Sequence, residues 1–115
     1  AQPRKVIYSG RRGMARFADW LPYTSWVTLG EGATPCVSVH MLADELGVTS
    51  LHLKNEGQNP SGSHKDRASC LTVTRALDVG ASTIVAASSG NAGASLALYA
   101  AAAGLGCTII ATNAL

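Results

Sequence analysis

The chain has 115 residues, 47% hydrophobic, 14% charged and 5% aromatic, with a formal net charge of +2. This composition excludes intrinsic disorder, a collagen-like repeat and a disulfide-dense scaffold, and the length suits one compact body with a small core. The charge is uneven: Arg4, Lys5, Arg11, Arg12 and Arg16 precede the first acid, Asp19, and residues 79–115 contain no charge at all.

The basic start lacks the apolar stretch of a signal peptide. Of a solvated tail, an incomplete organelle address and a nucleic-acid arm, the few interleaved aromatics favour the solvated tail. Residues 1–36 show no sustained period and read as an extended lead-in, which Trp20, Leu21, Pro22, Tyr23 and Trp26 anchor to a surface. Gly30-Glu31-Gly32-Ala33-Thr34-Pro35 is turn-rich, and Pro35 biases Thr34 towards extended backbone. Residues 41–46 predict a short helix stopped by Gly47, and residues 50–54 alternate apolar and polar side chains as a strand does. A loop over 55–62 leads to a helix over 64–79, on which Cys70, Val73 and Leu77 share one face. Strand 83–87, an alanine-rich helix over 92–103 and strand 107–111 complete the pattern.

Residues 92–111 reach the roughly 20 residues of a membrane span, yet they hold Gly93, Gly104, Gly106, Ser95 and Thr108, with no basic flanks. Buried layers of an α/β protein have the same composition. The expected fold is therefore α/β: a βαβαβ segment over 37–115, its strands in one parallel sheet with helices on the faces and its uncharged end buried. Cys36, Cys70 and Cys107 are widely spaced and odd in number, as expected of reduced thiols in the cytoplasm. Cys36 and His40 lack a second ligand pair, so no metal site is expected.

In parallel sheets, ligands bind where loops leave strand carboxyl ends and enter helices. Two such loops are predicted, at 55–64 and 88–91. Ser63 and Asp66 have the spacing of a capping box. Lys65 is left unexplained: the positive end of the helix dipole disfavours its charge by about 0.3–1 kcal/mol. Two readings stand, a nucleophilic and proton-carrying amine or a lysine whose stem leans into water. Ser88-Ser89-Gly90-Asn91 likewise reads as an anion-binding nest or as an ordinary N-cap.

The passages Leu29–Pro35, Lys54–Arg67 and Ala87–Ala92 together resemble the pyridoxal-phosphate enzymes of fold type II, and among them the threonine synthases. The resemblance covers residues 29–111 and implies that this is the N-terminal, small-domain part of such an enzyme. It makes Lys65 the catalytic residue, which forms the Schiff base with pyridoxal 5'-phosphate and later moves protons. It makes Asn91 a second cofactor contact, at the phenolic oxygen, and gives the substrate carboxylate to Ser88, Ser89, Asn91 and Ala92. The implied reaction is a lyase step that takes O-phosphohomoserine and water to threonine and phosphate. Serine/threonine dehydratases, cysteine- or tryptophan-synthase-like β-replacement enzymes and an inactive binding module are the alternatives. The expected partner is a free amino acid, with no nucleic acid and no membrane, in a cytoplasmic homodimer at full length.

Departures from the family pattern are His64, where threonine synthases often place Phe, and Ala92-Gly93, where hydroxyl residues are common. The later glycine-rich loop for the cofactor phosphate and the Ser or Thr facing the pyridine nitrogen are expected beyond Leu115. That expectation makes the 115-residue chain a truncated, inactive segment.

Overall fold

The computed structural model describes residues 11–112, so Arg4 and Lys5 of the basic start lie outside the described residues. A 3-10 helix, Gly13–Trp20, is followed by strand β1 (Cys36–Ser38), helix α1 (His40–Leu46) and strand β2 (His52–Lys54). A 3-10 turn, Glu56–Gln58, leads to α2 (Asp66–Asp78), β3 (Thr83–Ala87), α3 (Asn91–Ala102) and β4 (Gly106–Ile110).

The lead-in is not extended throughout. Its 3-10 helix begins at Gly13, whose φ of 62° lets the Met14 N–H reach the Glu31 carbonyl at 2.9 Å. A Cβ at Gly13 would lie 2.1 Å from that oxygen, so glycine is required there. Trp20 is exposed, whereas Leu21, Tyr23 and Trp26 are half-buried. Beyond the helix, the backbone N–H groups of Thr24 and Ser25 donate to the Asp78 carboxylate, each at 2.9 Å. The Val27 N–H donates to Thr74 Oγ1 at 3.1 Å, which straps the segment along α2.

The mixed α/β composition is as expected, but the single three-stranded parallel sheet is not what forms. There are two two-stranded sheets. β2 pairs antiparallel with β1, in the register Cys36↔Lys54 to Ser38↔His52. β3 and β4 pair in parallel, Thr83↔Gly106 to Ala87↔Ile110, across α3. The physical reason lies in side chains. The sequence into β2, Ser50–Lys54, alternates Leu51 and Leu53 with polar residues, and an interior parallel strand must be apolar on both faces. The Val39 N–H to Leu51 carbonyl bond and the Asn55 N–H to Pro35 carbonyl bond (3.0 and 2.9 Å) extend the β1–β2 ladder at both ends.

The uncharged end is likewise only half covered. In β3 and β4 alternate residues are exposed, including Val85 and Ile110, while Ile84, Ala86, Cys107 and Ile109 turn inward. The core forms between α2 and α3: Cys70, Val73, Leu96, Tyr99 and Ala100 are its buried members. Of the predicted helical face over Cys70, Val73 and Leu77, the first two pack in this core, whereas Leu77 is half-buried and outside it. Among the described residues, no helix is long and apolar enough to cross a membrane.

Candidate active site

The turn into α2 carries Lys65 and Asp66. α2 begins at Asp66, and Lys65 is the residue before it, its carbonyl accepting from the Ala68 and Ser69 N–H groups at 3.0 Å. The Ser63 hydroxyl accepts from the Lys65 N–H at 3.2 Å. Asp66 does not complete the predicted capping box. Its carboxylate is fully buried and accepts from the Ser61 N–H at 2.7 Å, from the Ser61 hydroxyl, and from the Ser95 hydroxyl of α3 at 2.5 Å. Lys65 itself is half-buried, and its Nζ donates to no acceptor among the described residues.

The start of α3 has the other expected cluster. The Ser88 hydroxyl accepts from the Gly93 N–H at 2.9 Å and from the Gly90 N–H at 3.3 Å, so it caps the first turn. The N–H groups of Ser89, Asn91 and Ala92 have no acceptor among the described residues and stand at the positive end of the helix. Ser88, Ser89 and Asn91 line one open depression of about 570 Å³; Ala92 is exposed beside it, and Lys65 does not line it. The two helix starts do not share one sheet edge, because β2 lies outside the β3–β4 sheet. What joins them is the packing of α2 on α3 and the Asp66–Ser95 hydrogen bond.

The remaining motif residues hold one another. Arg67 grips Glu56 with two bonds of 2.8 Å, Nε to Oε2 and Nη2 to Oε1. Thr34 Oγ1 and Asn59 Nδ2 donate to the same carboxylate at 2.9 and 3.0 Å. The Arg67 hydrogen bonds hold the Glu56 carboxyl down at about 2, against the opposing effect of burial. The Gly32 N–H donates to Asn59 Oδ1 at 2.9 Å, and Lys54 Nζ to the Thr34 carbonyl at 2.7 Å. The Gly30–Pro35 turn and the Lys54–Asn59 loop are thus one hydrogen-bonded unit docked on α2.

Sequence reasoning missed two buried carboxylate contacts, Ser95 O–H to Asp66 and Tyr99 O–H to Glu31 at 2.8 Å. One signal was available: Ser95 and Tyr99 are polar residues four apart in an otherwise apolar helix, hence on one face.

The site thus combines a βαβ unit, whose helix start has N–H groups without an acceptor among the described residues, with a second helix preceded by Lys65. Residues 27–114 match the family described as "Pyridoxal-phosphate dependent enzyme", and the chain belongs to that family. It is similar to the threonine synthase of Methanocaldococcus jannaschii, 43% identical over 101 residues, which are 85% of this chain and 25% of that protein. To the threonine synthase of Mycobacterium tuberculosis it is 47% identical over 92 residues, 80% of this chain and 24% of that protein. To that of Methanosarcina acetivorans it is 47% identical over 79 residues, 69% of this chain and 20% of that protein. The chain thus spans a quarter or less of the length of these curated relatives.

Pyridoxal phosphate is the family's cofactor, and the residues present fit it. Among the described residues, the Lys65 amine has no acceptor, and the start of α3 offers free N–H donors and an exposed Asn91. Gly90 leaves open space, with no atom within 4 Å of where a Cβ would stand.

Proposed function

We propose that this chain is the N-terminal part of a threonine synthase, which converts O-phosphohomoserine and water to threonine and phosphate. The observation that carries the reading is 43–47% identity to threonine synthases across the span holding both Lys65 and the start of α3.

Lys65 would hold the cofactor through Nζ, which has no acceptor among the described residues. When bound, pyridoxal phosphate supplies an electron sink for negative charge developing next to the substrate's amino group. Lys65 Nζ then takes the proton from the substrate Cα and returns a proton later in the cycle. The Asn91 side-chain amide would hydrogen-bond the cofactor's phenolic oxygen. Ser88, Ser89, Asn91 and Ala92 receive the substrate carboxylate, which the backbone N–H groups and the positive end of α3 favour. The enzyme would act on a free amino acid in the cytoplasm, as a homodimer, without nucleic-acid or membrane partners. Free Cys36, Cys70 and Cys107 support the reducing compartment.

The test uses the full-length protein with pyridoxal phosphate. A visible absorbance band that borohydride abolishes and Lys65→Ala removes, together with threonine and phosphate formed from O-phosphohomoserine, is the expected result. A band that survives Lys65→Ala would overturn the Lys65 assignment. A 2-oxo acid formed from serine or threonine, with no threonine synthesis, would replace the reading with a dehydratase. Turnover by the 115-residue segment alone would show that the later parts of the relatives are not needed.

A further inference from the structure

We infer that Asp66 is a positioning residue, whose buried carboxylate, clasped by Ser61 and Ser95, sets where Lys65 stands relative to the start of α3. The inference rests on the reading that Lys65 carries the cofactor, and adds what holds that lysine in place.

The Asp66 side chain is fully buried, yet among the described residues no cation bonds to it. An anion removed from water is tolerated only when its oxygens are fully hydrogen-bonded. Here the donors are the Ser61 N–H at 2.7 Å, the Ser61 hydroxyl and the Ser95 hydroxyl at 2.5 Å. The dipole of α2, whose first residue is Asp66, adds favourable charge. Ser95 has one proton, and its shortest contact gives that proton to Asp66. Ser69, 2.8 Å from Ser95 Oγ and itself buried on α2, must then donate to Ser95. The result is a directed chain, Ser69 O–H to Ser95 O–H to the Asp66 carboxylate, that crosses the α2–α3 contact twice.

This chain bears on the site because of what lies on either side. Asp66 is bonded through one peptide to Lys65. Ser95 is one helical turn past Asn91, on the same face of α3. An exposed capping carboxylate would stabilise α2 as well without any desolvation, so stability alone does not explain a buried one. A fixed spacing between the two helix starts does. Displacement of a reacting group by about 1 Å can reduce rate about a hundredfold.

The experiment compares Ser95→Ala, Ser61→Ala and Asp66→Asn in the full chain with Thr74→Ala, which removes a fully buried hydroxyl elsewhere on α2. Each folded protein is treated with pyridoxal 5'-phosphate and then borohydride, and the adduct on Lys65 and on Lys54 is quantified by peptide mass mapping. Thermal melts of the same samples report stability. The expected result is a fall in Lys65 adduct, relative to Lys54, of about tenfold in Ser95→Ala and Asp66→Asn. Thr74→Ala should leave the ratio unchanged despite an equal or larger loss of melting temperature. Ser61→Ala, which keeps the Ser61 N–H bond, should fall between.

Unchanged Lys65 adduct in Ser95→Ala would overturn the inference while leaving the role of Lys65 intact. An equal fall in Thr74→Ala would overturn it too, by making the effect one of stability. If the unaltered protein forms no adduct at Lys65, the Lys65 reading fails and this inference with it. Ser95→Ala removes one donor from Asp66 and the partner of the Ser69 hydroxyl but keeps both Ser61 bonds to Asp66, so it decides the matter even if Asp66→Asn does not fold.

Discussion

The Tyr99 hydroxyl donates to the Glu31 carboxylate at 2.8 Å, and both side chains are fully buried. Thr28 Oγ1 at 3.0–3.1 Å and the Leu29 N–H at 3.0 Å supply the other donors, so a carboxylate from the turn before β1 is built into the core between α2 and α3. Burial first, and then the Glu31 acceptor, push the Tyr99 phenol above its ordinary range. Tyr99→Phe removes a hydrogen bond to a charged group and keeps the ring. It should lower unfolding free energy by about 1.5–3 kcal/mol, read as a lower urea midpoint at unchanged slope. A loss below a few tenths of a kcal/mol would mean that the Tyr99–Glu31 bond adds nothing to the folded state.

Stability should fall in acid. Arg67 holds Glu56 at about 2 against an ordinary 4.5, and the backbone N–H groups of Thr24 and Ser25 hold Asp78 at about 2 against 3.8. A carboxyl lowered in the folded state stabilises it above the unfolded value, and that stabilisation disappears as pH drops through the folded value. The urea midpoint should therefore decline from about pH 4.5 towards pH 2. Glu56→Gln should lower the midpoint at neutral pH and flatten the decline, since its share no longer titrates. A decline of unchanged steepness in Glu56→Gln would exclude Glu56 as a source of the acid sensitivity.

Gly93 lies in the first turn of α3, against Ile109 of β4. A Cβ there would stand 2.9 Å from Ile109 Cγ2 and 3.2 Å from Ser88 Cβ. Gly93→Ala must push the helix start off the sheet or turn Ser88 out of its cap. We expect a loss of about 1–3 kcal/mol and, in the full-length protein, weaker pyridoxal phosphate binding measured by absorbance titration. Ser88→Ala removes the cap without crowding and should lose about 1 kcal/mol. A Gly93→Ala protein as stable as the parent would show that helix and sheet can separate freely.

Much of the local structure was legible in the chain. The strand over 83–87 falls where its β-branched run predicts, and α3 and β4 lie within one residue of expectation at each end. These segments carry strong periodic or apolar signals and are closed by glycines such as Gly104, at φ 71°. Their partners were not legible. Ser50–Lys54 reads as a strand from its alternation, but whether it joins β3 or β1 depends on which backbone edge reaches it. Cys36–Ser38, too short to signal itself, is the edge that does.

The Ser63–Asp66 spacing shows the same division at the site. Residue types and order alone place Lys65 before a helix and a hydroxyl-rich turn before the next one, because capping, turn and dipole rules act within a few residues of chain. They also suffice to identify the enzyme family. Tertiary structure decided what those residues touch. Asp66 faces Ser95, 29 positions away, instead of closing a local box, and Glu31 meets Tyr99 across 68 positions. A carboxylate has no intrinsic preference between a nearby N–H and a distant hydroxyl. Only the packing of α2 against α3 buries Asp66 with Ser95 and so makes the distant partner part of the clasp.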